Sequence, residues 1–368
     1  MASRPIRVGV LLVAVVLAAC SSDGPSATPT GASGAAMGGA SAAARTVRPP
    51  FPTPTRAPAR ITTARITAAR STSSTRTTAR IGCSVFPAGS VWHADVRTLP
   101  VHPSSAAWVT SLGTGGRLHP DFGAGLIDGA PFGIPVTMVP PTQRKVPVGF
   151  DYADESDPGP YPVPADARIE GGRAADGDRH VLVLDSAACT VWELYDAHLL
   201  SGGSWRAGSG AVFDLRSERL RPAGWTSADA AGLSVYAGLV RYEEVAAGRI
   251  DHVVRITAAR TRRQYLWPAR HAASSSTDPA LPPMGAWFRL KAGVDLSHLP
   301  RQARVIAEAL KVHGAIIADN GSSWFVSGTQ DSRWDNDALD ALKSLRGSDF
   351  EAVDTSGLMV SRDSGRCR

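Results

Sequence analysis

The chain has 368 residues, room for one large or two ordinary domains, and its 43% hydrophobic content is enough to bury a core. The formal charge of +6 is unevenly placed: residues 1–80 hold ten Arg and one acid, Asp23, which leaves 29 basic against 32 acidic residues in 81–368. A nucleic-acid groove is therefore disfavoured, because binding phosphate needs basic charge clustered on the folded surface.

Arg4 and Arg7 precede a 12-residue apolar run, Val8 to Ala19, which is too short to span a bilayer and ends in small residues, as a secretory signal does. The run closes as Leu17-Ala18-Ala19-Cys20, which resembles the lipobox of bacterial lipoproteins at every position. That resemblance implies removal of residues 1–19, lipidation of Cys20, and a palmitate-bearing anchor on the outer face of the cell membrane; two or more acyl chains make such anchoring stable. Residues 20–80 beyond it are mostly Ser, Thr, Ala, Gly, Pro and Arg with Phe51 the only aromatic, so they read as a disordered tether. Such a tether reaches about 40 Å. The basic near-repeat from Ala59 to Thr67 reads as a drifting spacer in preference to a polymer-binding strip.

With Cys20 lipidated, Cys83, Cys189 and Cys367 allow one disulfide and one free thiol. Cys83 and Cys367 bracket the domain, and domain ends often lie close together, so Cys83–Cys367 is the first expectation and Cys83–Cys189 the second. The absence of any CxxC pair leaves a zinc ribbon without support.

From residue 81 onward, turn formers recur every 8–15 residues, with short alternating runs between them, as strands have. The clearest pair is 180–184 with 190–195; others are 134–139, 146–150, 211–215, 252–257, 286–291, 315–319 and 323–327. This rhythm predicts a mostly β domain over 81–368, an antiparallel β-sandwich or jelly roll. Helices are expected over Ser104–Leu112, Pro300–Val312 and Asp335–Arg346, the last with an Asp N-cap. Asn320-Gly321 between two apolar runs predicts a hairpin, so 298–368 reads as helix–hairpin–helix.

The phrases Phe150 to Pro162, Gly224 to Asp229, Ser274 to Pro279 and Ala318 to Gly321 together resemble an uncharacterised family of secreted bacterial proteins. The likeness spans most of 83–354 and brings no activity and no functional residues with it.

Function must come from the side chains. The sequence contains no Gly-x-Ser-x-Gly, Ser-x-x-Lys, phosphate loop, dinucleotide fingerprint or His-Glu-x-x-His, and Asp176-Gly177-Asp178 lacks the other ligands of a calcium loop. Neither a metal nor a cofactor is expected. The acidic loop Asp151/Asp154/Glu155/Asp157 offers a proton donor, Asp154 being the candidate, because like charges raise one another's pKa. Nine Trp offer sugar-stacking faces, and Trp225 and Trp267 lie beside turn-rich polar stretches. Pairing 182 with 193 places His180, Glu193 and Tyr195 on one sheet face and Val181, Val183, Trp192 and Leu194 on the other. The polar face reads as a ligand cleft, with Glu193 and His180 as acid/base groups and Tyr195, His252, Arg270 and His271 beside them. The expected function is an anchored envelope protein that binds or cleaves carbohydrate; the alternative is a non-catalytic scaffold.

Overall fold

The computed structural model describes residues 83–127 and 129–368. The leader, Cys20 and the tether lie outside the described residues. Strands outweigh helices, and two sheets carry most of them. A four-stranded sheet runs Ser209–Asp214, Thr190–Tyr195, Val181–Asp185, Val136–Val139. A six-stranded sheet runs His119–Pro120, Phe325–Val326, Val254–Ala258, Ala315–Asn320, Trp287–Leu290, Phe350–Val353.

The hairpin Val181–Asp185/Thr190–Tyr195 has the expected register, Leu182 opposite Glu193 and Val181 opposite Leu194. Both of its faces are buried. Val181, Val183, Trp192 and Leu194 pack into a smaller core with Tyr161, Val163 and Trp205. Leu182, Leu184 and Val191 turn the other way, into the larger core that also holds Val254, Ile256, Ile316 and Ile317 of the second sheet. The hairpin is thus a layer between two cores, and its rows of apolar residues match that double burial.

The architecture departs from an antiparallel sandwich or jelly roll at several joints. Val136–Val139 pairs parallel with Val181–Asp185, and Val254–Ala258 pairs parallel with Ala315–Asn320. The C-terminal hairpin also resolves differently. Ala315–Asn320 and Phe325–Val326 do not pair with each other; Val254–Ala258 lies between them and bonds to both. Asn320-Gly321 does turn the chain, but a strand from sixty residues earlier occupies the gap, a non-local choice that no local turn signal encodes.

The helices follow their signals. Ser105–Leu112 and Arg301–Val312 form as expected, and the second stops at Gly314, whose φ of 71° is left-handed. Asp335 caps its helix by accepting from the Ala338 N–H at 3.1 Å, but the α-helix covers only Asn336–Asp340 and tightens to a 3-10 turn over Ala341–Ser344.

The disulfide joins Cys83 to Cys189, and Cys367 is the free thiol. This corrects the Cys83–Cys367 expectation, although its premise holds. The ends of the domain do meet: Ser90 bridges Arg366, and the Cys367 N–H donates to the Gly89 carbonyl at 3.0 Å. Cys83 lies six residues before Gly89, against the 186–189 turn, where its partner Cys189 sits.

Candidate functional site

The polar face of the hairpin is covered, and its carboxylate has a structural task. Glu193 is fully buried and accepts from the Ser234 hydroxyl at 2.7 Å, the Val235 N–H at 2.9 Å and the Tyr236 N–H at 3.0 Å. These donors open the short Val235–Gly238 helix, whose first N–H groups have no partner within the helix. Burial pushes the Glu193 carboxyl up, and the three donors pull against that. Both oxygens are occupied and neither meets solvent, so the acid/base role expected for Glu193 is replaced by helix capping.

His180 is also interior. Its Nδ1 lies 2.6 Å from a Glu170 carboxylate oxygen and its Nε2 2.9 Å from the Ala228 carbonyl. Two acceptors require both ring nitrogens to carry protons. Burial opposes that charge, but Glu170 outweighs burial and brings the pKa to about 9. The side chain therefore acts as a fixed cation, not as a proton shuttle at neutral pH. Tyr195 is half-buried with its ring 6.0 Å from that of His180.

Close by, Arg255 spans Asp229 with two hydrogen bonds, of 3.2 and 3.1 Å, and adds one to the Ser327 hydroxyl at 2.6 Å. Asp319 stands 3.4 Å from the same guanidinium, yet burial and repulsion from Asp229 lift its carboxyl to about 7. Together with His180, this network pins the 228–229 segment between the two sheets. His252 is likewise spent, with its Nε2 3.2 Å from Glu244.

The acidic loop is tied down piece by piece. Asp151 pairs with Arg206, Asp157 with Arg221, and Glu155 accepts from the Thr226 N–H at 3.1 Å. Asp154 alone points into solvent, on the Ala153–Glu155 turn, and does not share a cavity with His180 or Glu193. His271 bonds the Ala230 carbonyl at 2.8 Å and sits 3.8 Å from Glu155. Trp225 stacks on the Arg221 guanidinium at 5.6 Å.

Trp267 and Arg270 do come together. They line a cleft of about 600 Å³ with His102, Tyr265, Asp354 and Arg362. That volume lies within the usual range for small-ligand sites. The Arg262–Tyr265 strand delivers Tyr265, which is 38% exposed, and Trp267 follows two residues later. The Trp267 indole N–H donates to the Ser364 carbonyl at 2.9 Å, while Arg270 is buried and bonds Asp363 at 2.6 Å and the Arg362 carbonyl. These bonds hold the C-terminal segment as the opposite wall.

His102 stacks on Trp108 with ring centroids 4.1 Å apart, and its Nδ1 accepts the Ser104 N–H at 3.1 Å. Burial, seconded by Arg262, holds its pKa below the ordinary value despite Asp354 nearby. Asp354 follows the Phe350–Val353 strand and accepts from Ser356, which lowers its pKa. The sequence reading missed His102, Tyr265, Asp354 and Arg362. Only Tyr265 left a usable trace, as an aromatic two residues before Trp267.

Among the described residues, no group of three or more His, Cys, Asp or Glu could hold a metal ion, and no helix is long and apolar enough to cross a membrane. Comparison with protein-family models, curated proteins and solved structures finds no match to this chain.

Proposed function

We propose that this is a lipid-anchored extracytoplasmic protein whose 600 Å³ cleft binds carbohydrate of the cell envelope. The observation that carries the reading is the cleft wall: Trp267 and Tyr265 present aromatic surface, with His102, Asp354 and Arg362 as polar groups around it. Sugar rings have apolar C–H faces edged by hydroxyls, and such a wall complements both parts. The anchor rests on the leader and Cys20. The two sheets sharing the larger core serve as the layers of a distorted sandwich that carries the cleft loops.

Binding fits the groups better than hydrolysis does. A glycosidase needs one protonated carboxyl as acid beside an ionised one. In this cleft Asp363 is engaged by Arg270, and Asp354 is held ionised by its bonds to Ser356. Asp354 is thus not kept neutral for a proton-donating role, and Asp363 is bonded to Arg270.

The test is titration of the purified protein with a panel of envelope and plant oligosaccharides, following Trp fluorescence and heat. Tyr265→Ala and Trp267→Ala should each weaken binding by about tenfold or more, roughly 1.4 kcal/mol. Tyr265→Ala should do so without lowering the melting temperature, because that ring is partly exposed. Unchanged affinity in both variants, or binding to no glycan, would reject the proposal.

A further inference from the structure

Resting on the reading of this cleft as a carbohydrate site, we infer that its ligand is an uncharged, hydroxyl-rich saccharide segment and not a uronate- or phosphate-bearing one. The charged groups of the cleft cancel. Arg270 and Asp363 are committed to one another, and Arg270 is further tied to the Arg362 carbonyl. Of the remaining charges, Asp354 is negative and Arg362 positive, and both line the same space. His102 adds none: its Nδ1 receives a backbone N–H, so that nitrogen is unprotonated and the ring is neutral, with its single N–H on Nε2.

A carboxylate or phosphate entering this cleft would give up water and meet Asp354 as well as Arg362. Desolvating an ion is costly unless it is matched by uncancelled opposite charge. A hydroxyl has no such requirement. It can donate to Asp354 and accept from Arg362, from the His102 Nε2–H or from the Tyr265 hydroxyl, so neighbouring hydroxyls find donors and acceptors side by side. Trp267 and Tyr265 then cover the C–H faces of the rings.

The experiment titrates the purified full chain with maltotriose, cellotriose and mannotriose on one side and trigalacturonate and a phosphorylated oligosaccharide on the other, each at low and high salt. At least one neutral trimer should bind more tightly than either anionic ligand. Its affinity should change by less than about twofold with salt, since an uncharged ligand offers no ion pair to screen. Asp354→Asn should weaken that binding and, by leaving Arg362 without an opposing charge in the cleft, tighten the anionic ligands. Tighter, salt-sensitive binding of trigalacturonate or of the phosphorylated sugar, lost in Arg362→Ala, would overturn the inference while leaving the carbohydrate reading in place. Binding of neither class would overturn both.

Discussion

Glu193 illustrates how a carboxylate on a promising face can be wholly structural. Its three donors all belong to the start of one helix. Removing the acceptor strands a buried hydroxyl and two buried N–H groups, each costing about 1–3 kcal/mol when unpaired. Glu193→Ala should therefore lower stability by at least about 3 kcal/mol, and Glu193→Gln, which keeps an acceptor, by clearly less. Chemical denaturation of the two variants checks this, and glycan affinity at the Trp267 cleft should not change in Glu193→Gln. The His180–Glu170 pair has a pH signature whose sign follows from its pKa values. His180 rises from 6.5 to about 9 on folding, so its contribution is complete below pH 6.5 and is lost as the pH climbs through about 9. Glu170 is lowered by the same contact, so its share is present above its ordinary value of 4.5 and fades in acid. The melting temperature should fall from pH 6.5 to 9, and Glu170→Gln should flatten that decline; parallel curves for the two proteins would exclude the pair as its source.

At the scale of elements, Gly314 is the clearest point of constraint. It ends the Arg301–Val312 helix at a φ of 71°, and a Cβ there would stand 2.4 Å from the Phe288 carbonyl. Gly314→Ala combines a left-handed alanine with a backbone clash, so it should cost more than the roughly 1 kcal/mol of the conformational penalty alone, as thermal unfolding would show. Gly, the apolar spacing of Val305, Ile306, Ala309 and Leu310, and the Asp335 cap made these helices readable from local sequence. The 181–185/190–195 register was readable for the same reason: alternation excludes a one-residue slip. What covers that hairpin was not. The lid over Glu193 and His180 comes from residues 228–236, more than thirty positions away, and nothing in the alternation distinguishes an open polar face from one sealed by another segment. The insertion of Val254–Ala258 between the two strands flanking Asn320-Gly321 is the same kind of event, a long-range pairing without a local signature. The cleft was legible only in part, through Trp267 and Arg270. Its other wall, Asp354 to Asp363, carries no periodicity, and long-range bonds bring it into place, among them those from Arg270 and Trp267 and the Leu220 N–H to the Asp363 carbonyl.

For the whole molecule, the division of charge matters most. The folded part carries 29 basic and 32 acidic residues, while ten Arg and a single acid precede it in residues 1–80. A near-neutral domain has little electrostatic attraction for an anionic bilayer, so its membrane residence would depend on Cys20 and the basic segment behind it. Those two contributions differ in strength and in salt response. Acyl chains hold by apolar burial at about 0.8 kcal/mol per CH₂, which salt does not weaken, whereas polybasic attraction is screened within about 10 Å at ordinary ionic strength. Cys20→Ala expressed in a bacterial host should thus move the protein from the membrane to the soluble fraction, completely at high salt and incompletely at low salt if the Arg-rich segment touches lipid. The released protein should bind the same oligosaccharide with unchanged affinity, because the cleft is built entirely from residues after 101. Membrane partitioning that ignores Cys20→Ala at high salt would remove the lipid anchor from the proposal, and lost glycan affinity in the released form would mean that the cleft does not work independently of its attachment.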